Sequence, residues 1–409
     1  MILSGRAGSY HTYGNGSERF IPKPLPPEPP LEMSAKLLNA LSKADRALAR
    51  LDGATLILPN PELFVYAFMR QEAVLSSQIE GTQASLEDVL EFESGAEAIK
   101  RTDDLTEIVN YIDAMKWGLS QLVDLPVCLR LIKGLHARLL REGRGSGRNP
   151  GEFRQNQNWI GDPGCSIVEA TFVPPPVPVM HDALDQWEKF LHASTDLPPL
   201  IKCALAHAQF ETIHPFWDGN GRLGRMIITF LLCSEEILNL PILYLSLFFK
   251  QHKVDYYNLL QDIRDNGNWE AWILFFLRGV NATSRNALSL AQDIIHLRET
   301  VLNITHENLK SAKAPLLAEK LFQNPYITVK RAAHILSVTY PTANTMIGGF
   351  VEHGILEIVP TRGRERIFAF RGYLDLLHSS TDDLSPAIDG DDHLSTKGDD
   401  PQEGATTIV

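Results

Sequence analysis

Cysteine is scarce in this sequence. Four are spread over 409 residues, at Cys128, Cys165, Cys203 and Cys233, and no two form a Cys-x-x-Cys pair. That spacing builds neither a disulfide framework nor a zinc site, so the four are read as buried free thiols. The stretch from Met1 to Tyr13 is polar and Gly-rich, without an apolar leader. No run reaches about 18 uninterrupted apolar residues, so no membrane span is expected and a cytoplasmic location is. No Gly-x-x-x-x-Gly-Lys-Ser/Thr stretch occurs, which removes a P-loop as the nucleotide site. Internal repeats are missing. An excess of positive charge is missing too: the net charge is −12. Residues 379–409, however, hold eight Asp and Glu against one Lys, Lys397, and supply −7 of that total. The remainder is only mildly acidic and compatible with an anionic ligand.

The length suits two or three domains. Residues 1–31 carry Pro22, Pro24, Pro26, Pro27, Pro29 and Pro30, and read as an extended arm strapped over the first helices. Leu37, Leu41, Ala44, Leu48 and Leu51 recur at helical spacing up to Gly53, which is expected to stop the helix. A second helix spans about Pro61 to Ile79, and Ser85-x-x-Asp88 is a capping box that starts a third. Glu80 thus sits in a short polar break. Helices follow near 104–119 and 126–140. Residues 152–180 lose helical periodicity and suit a hairpin closed by Pro174-Pro175-Pro176. Helices are expected again at 181–193, 200–212, 223–235, 253–265 and 268–279. A long, more polar helix at 281–310 is expected at an interdomain or dimer surface. Residues 311–376 read as helix–turn–helix plus hairpin, the pattern of a winged helix. Within 327–372 six Lys and Arg face three Glu. Arg362, Arg364 and Arg366 lie at or near the hairpin tip, where they could meet nucleic-acid phosphates. Residues 377–409 have little apolar content and are expected to be disordered.

The densest chemistry lies in His214-Pro215-Phe216-Trp217-Asp218-Gly219-Asn220-Gly221-Arg222-Leu223-Gly224-Arg225. It joins one helical run to another, so it places a helix N-terminus, with its unpaired N–H groups and partial positive charge, behind a loop that can take phosphate. Gly219 and Gly221 allow close approach of the backbone. Arg222 and Arg225 share a helix face and can both reach an anion. Asp218 suits Mg²⁺ held together with substrate phosphates. His214 can exchange a proton near neutral pH.

The stretch 214–225 resembles the signature of Fic-domain proteins. So do its surroundings: Gly151-Glu152-Phe153-Arg154 and Asn158-Trp159-Ile160-Gly161 are similar to the approach to that family's flap, Phe172-Val173-Pro174-Pro175-Pro176 to its exit, and Tyr256-Tyr257 with Gly267-Asn268-Trp269 to its closing helices. The resemblance covers about residues 30–310. It implies a mainly α protein: a Fic-type helical domain with a β-hairpin flap, here joined to a C-terminal winged helix-turn-helix domain. The implied division is an arm at 1–31, an N-terminal helical region with an inhibitory helix at 32–110, a catalytic domain at 111–310, a winged-helix domain at 311–376 and an acidic tail at 377–409. The implied reaction is transfer of AMP from ATP to a Ser, Thr or Tyr hydroxyl of a protein, including this chain. His214 would then be the base and Asp218 the Mg²⁺ ligand. Gly219, Asn220, Gly221, Arg222, Leu223, Gly224 and Arg225 would hold ATP, with Tyr257 near the adenine and Phe216 as a core anchor. The flap around Ser166–Val173 would align the target by strand addition. Ser76-x-x-x-Glu80-Gly81 resembles the family's inhibitory motif, which implies that Glu80 pairs with Arg225 and disturbs the γ-phosphate site.

Two other readings stand beside this one. A DNA-binding regulator with a nucleotide-sensing Fic-like domain would use residues 327–372. A de-AMPylase would use Glu80 to position a water. Expected partners are ATP, protein targets and a second copy of the chain, with DNA for the winged helix and no membrane.

Overall fold

A computed structural model describes residues 5–14, 16–56, 61–94, 101–309, 311–360, 366–382, 384 and 407–408. The chain opens with an antiparallel hairpin of β1 (Gly8–Thr12) and β2 (Glu18–Pro22), in register Gly8↔Pro22. An extended arm was expected over 1–31; its first part pairs as two strands with Phe20 buried, and residues 23–34 form neither helix nor strand. The arm also lies elsewhere than expected. Phe20 N–H donates to Val173 O at 3.0 Å, Arg6 pairs with Glu270 at 2.8 Å, and Tyr10 donates to Asp265 at 2.8 Å. It therefore straps the later part of the helical core, not the first helices.

Five helices follow: α1 (Ala35–Leu56), α2 (Pro61–Ile79), α3 (Leu86–Glu93), α4 (Asp103–Gln121) and α5 (Leu129–Leu139). Helix α1 runs past Gly53. Its buried stripe of Leu37, Leu41, Ala44, Leu48 and Leu51 packs along a later helix, and that burial outweighs the ~1 kcal/mol cost of one glycine. The capping box forms as expected: Ser85 Oγ accepts from Asp88 N–H, and Asp88 accepts from Ser85 N–H.

Residues 152–176 are irregular. Strand β3 (Ile160–Gly161) pairs back through a single bridge, Ile160↔Phe172, so the expected hairpin is a short stem carrying a turn-rich tip. Five further helices then come in order: α6 (Val177–His192), α7 (Pro199–Ile213), α8 (Asn220–Ser234), α9 (Ser246–Gln251) and α10 (Lys253–Asn266). Helix α11 (Trp269–Asn308) runs unbroken for 40 residues, where two helices were expected. Gly279 is no breaker: a Cβ there would come within 2.7 Å of Phe248 and 3.0 Å of Leu245, so the glycine admits close packing of α9. The polar half of α11 meets the C-terminal segment, beside α12 (Ala314–Gln323).

That segment continues with β4 (Tyr326–Thr328), α13 (Val329–Leu336), α14 (Tyr340–Glu352), β5 (Glu357–Val359), β6 (Ile367–Ala369) and α15 (Arg371–Asp382). The sheet order is β4-β6-β5, all antiparallel, so a strand that was not foreseen closes the hairpin against the helix pair. Arg362 and Arg364 lie outside the described residues. Helix α15 carries the folded segment beyond residue 376 and packs on α11. A last strand, β7 (Thr407–Ile408), pairs antiparallel with β3, in register Ile160↔Ile408; the rest of the expected disordered tail lies outside the described residues. Of the four free cysteines only Cys203 is buried; Cys128, Cys165 and Cys233 are half-buried, so the expectation of buried thiols holds for one. Among the described residues no helix is long and apolar enough to cross a membrane.

Candidate active site

Helix α7 ends at Ile213, and His214 caps it in the left-handed region, φ 47° and ψ 62°, a strained conformation for a side-chain-bearing residue. The strain is held by its neighbours. Arg154 is buried and donates from Nε to His214 O at 3.0 Å and through its backbone N–H to Pro215 O at 2.9 Å. The His214 ring is buried, and among the described residues neither nitrogen has a hydrogen-bond partner. Burial pushes its pKa down to about 3, and the cations Arg154 and Arg264 push the same way. At neutral pH the ring is therefore uncharged, with a lone pair free to take a proton.

The loop after His214 is pinned at three points. Phe216 is fully buried and stacks on His136 with centroids 3.8 Å apart. Asn220 accepts from Phe216 N–H and donates to Phe216 O, both at 2.9 Å. Asn158 donates to the same carbonyl at 2.9 Å. The His136 tautomer follows from its partners: Nδ1 accepts from Gly151 N–H at 2.8 Å, so Nε2–H donates to Asp218 O at 2.9 Å. Burial lowers the His136 pKa to about 4, which keeps that tautomer.

Asp218 is positioned at the mouth, its side chain 27% exposed. Oδ1 accepts from Gly219 N–H at 2.6 Å and from Arg222 at 3.3 Å. Oδ2 faces the backbone of Gly145, where a Cβ would stand 2.6 Å away. A partly exposed carboxylate with one oxygen in that glycine-lined space fits Mg²⁺. Among the described residues no group of three His, Cys, Asp or Glu could hold a metal ion, so the other ligands would have to be phosphate oxygens and waters.

Gly219, at φ +77°, turns the chain into α8 and leaves the first N–H groups of that helix facing the mouth. Glu80 occupies this place: a Cβ on Gly221 would collide with its Oε1. The same oxygen pairs with Arg225 at 2.7 Å. Arg225 also donates from Nε to Ser76 Oγ and from its second amino group to Ser76 O, both at 2.9 Å. Burial alone would lower the Arg225 pKa, but Glu80 overrides it and raises it. Burial would raise Glu80, and Arg225, with Arg222 and Lys253 behind it, holds that carboxyl below its usual range. The residues Ser76, Glu80 and Arg225, up to 149 positions apart, thus meet in one cluster.

Two expected ATP contacts turn away. Leu223 is buried in the core and its N–H is spent on Gly219 O at 3.0 Å. Gly224 backs onto Glu211, which a Cβ would strike. Tyr257 lies on α10 at the rim, 40% exposed, within the field of Glu80 and Arg225. Several residues of the site were given no role from sequence. His136, Arg154 and Asn158 brace the loop. Glu107, on α4, pairs with Arg222 at 3.1 Å. Glu211 is buried with Oε1 unpartnered; burial raises its pKa to about 7, with Arg225 opposing. A carboxylate three positions before His214 was a legible signal for Glu211. Nothing local marks Glu107.

Comparison with known proteins matches residues 38–120 to the family described as Fic/DOC family N-terminal, and residues 126–232 to the Fic/DOC family. The protein adenylyltransferase Fic of Drosophila virilis is 31% identical over 198 residues, 47% of this chain and 37% of that protein. Its counterpart in Drosophila mojavensis is 29% identical over 249 residues, 59% of this chain and 45% of that protein. The chain thus spans less than half the length of these curated relatives. A solved Fic family protein from Desulfovibrio desulfuricans shares the fold, with a TM-score of 0.55 at 17% identity over 83% of this chain and 97% of that one.

Proposed function

We propose that this chain, which carries a Fic/DOC domain behind a Fic/DOC N-terminal region, is a protein adenylyltransferase held off by its own Glu80. The observation that carries this reading is the pairing of Glu80 with Arg225 over the N-terminus of α8, next to a neutral, unpartnered His214. In the reaction, a protein hydroxyl gives its proton to His214 as its oxygen attacks the α-phosphorus of ATP. The bond from that phosphorus to the bridging oxygen breaks, and pyrophosphate leaves. Arg222 and Arg225, with the first N–H groups of α8, offset the charge gathering on the leaving phosphates. Mg²⁺ bound by Asp218 and those phosphates would supply further charge neutralisation. The flap presents the target: one edge of Ile160–Gly161 already accepts Thr407–Ile408 as a paired strand, which supports strand addition as the way a target segment aligns.

Glu80 keeps Arg225 from the terminal phosphate and lays a negative charge where that phosphate would sit. Glu80→Gly is expected to raise self-labelling from α-labelled ATP by about ten- to a hundredfold, the worth of one charge-assisted bond of about 1.5–3 kcal/mol. Equal labelling in both proteins would remove Glu80 as the restraint.

A second reading rests on the C-terminal segment. The pair α13–α14, backed by the β4-β6-β5 sheet, supports a winged helix that contacts DNA. Arg366, which donates to Asn344 on α14 at 2.7 Å, would lie at the contact. Binding to duplex DNA that weakens steeply with salt is expected; binding insensitive to Arg366→Ala would count against it.

A further inference from the structure

We propose that Arg144 is a third phosphate-binding arginine of this site and that Glu107 is the latch that stores it. Arg144 follows α5 in a loop where Gly143 and Gly145 both take positive φ, +79° and +87°, so the residue between them sits on a turn. Its guanidinium contacts both oxygens of Glu107, at 2.9 and 3.1 Å. The second oxygen also receives Arg222 at 3.1 Å and the Thr82 hydroxyl at 2.9 Å. Glu107 is 1% exposed and Arg222 3%, so these two are a buried pair that each needs the other. Arg144 differs: 54% of its side chain is in solvent. It can leave Glu107 without stranding a buried charge, because Arg222 remains.

What lies within reach of Arg144 decides the ligand. A Cβ on the neighbouring Gly145 would stand 2.6 Å from Asp218 Oδ2, and Arg222, which pairs with Glu107, reaches Asp218 Oδ1 at 3.3 Å. The mouth of α8 is therefore lined by three arginines and three carboxylates: Arg144, Arg222 and Arg225 against Glu107, Asp218 and Glu80. In that state each arginine is paired with a carboxylate, and Lys253, which donates to Ile79 O, is the further cation near Glu80. When Glu80 withdraws and Asp218 is engaged by a cation, positive charge is in excess, and the arginine with most freedom to move is Arg144. Its neighbours Asp218 and Arg222 are the groups that the nucleotide reading assigns to the metal and the leaving phosphates, which points Arg144 to the phosphates beyond the α-phosphate. Glu107 is a positioning residue that orients Arg222 and parks Arg144.

This inference rests on the nucleotide reading above but not on transfer. The test is calorimetric binding of ATP and of AMP, with Mg²⁺, to Glu80→Gly and to Glu80→Gly carrying Arg144→Ala or Arg144→Lys. For Arg144→Ala, ATP is expected to bind about tenfold more weakly while AMP is unchanged. Arg144→Lys, which keeps the charge without the two-donor fork, is expected to fall between. Unchanged ATP affinity in Arg144→Ala overturns the proposal. So does an equal loss for AMP, which would make Arg144 a prop of the loop; if Arg144→Ala also melts early, Arg144→Lys decides by the same comparison. A Glu80→Gly protein that binds ATP but never labels a protein would sink the transfer reading and leave this one standing.

Discussion

His214 illustrates how one residue's chemistry depends on neighbours far away in sequence. A histidine in water titrates near 6.5, but here burial, then Arg154 and Arg264, depress it to about 3. The sign matters. A depressed pKa keeps the proton-accepting form as pH falls through 6.5, so His214 is expected to add no half-point near 6.5 to the labelling rate of Glu80→Gly, the nearby titration being that of Glu211 at about 7. A half-point near 6.5 in that profile would contradict a buried neutral base. His214→Ala is expected to cut labelling by about 10²- to 10⁴-fold while ATP affinity, followed by calorimetry, is retained. His214, Asp218, Arg222 and Arg225 stood out in sequence because they fall within one short stretch, from the end of α7 into the first turns of α8. Glu80 was legible only through a resemblance. Glu107, Arg144, Arg154 and Asn158 were not assigned roles, because no spacing links them to the loop they serve.

At the scale of elements, periodicity located most helices, and glycine misled once, at Gly53. Gly53 lies inside α1 and Gly279 inside α11, since burial of a continuous stripe outweighs local propensity. Gly279 carries a prediction. Ala is the better helix former, yet its Cβ would stand 2.7 Å from Phe248. Gly279→Ala is expected to destabilise the protein by about 1–3 kcal/mol through overpacking, seen as a lower midpoint in urea; a raised midpoint would show that propensity dominates there. Helix α2 is the other telling element. It carries Ser76 and Glu72, and Glu80 follows at its end, while Gln71 donates to Leu377 O and Ser380 Oγ of α15, both at 3.0 Å. The Glu80–Arg225 contact and the C-terminal segment therefore share one rod.

For the whole molecule, buried ionisable groups set the response to acid. His136, His207 and His214 have pKa values lowered to about 4, 3 and 3 by burial, so the unfolded chain takes up three protons below 6.5 that the folded chain refuses. Glu72 and Glu211, raised to about 7 by burial, act oppositely: the folded chain keeps two protons that the unfolded chain releases above 4.5. For these five groups together stability should thus fall by about 1.4 kcal/mol per unit from pH 6.5 to 4.5, the worth of one net proton, and His252, whose pKa burial also lowers, adds to the fall. Below about 4.5 the glutamates no longer compensate and the fall should steepen about threefold. Urea melts at pH 6.5, 5.5 and 4.2 would check this; an even slope would refute the assignment.

Arg225 holds two bonds to Ser76 that do not involve Glu80, so rotation of the Glu80 side chain alone is expected to open the site without moving a helix. A restraint of that size leaks. At about 1.5–3 kcal/mol, thermal motion leaves roughly one molecule in ten to one in two hundred open at any moment. The resting protein would then behave as a slow clock, accumulating modified copies in proportion to time and nucleotide supply, and a signal that acts on it would change the rate of ticking.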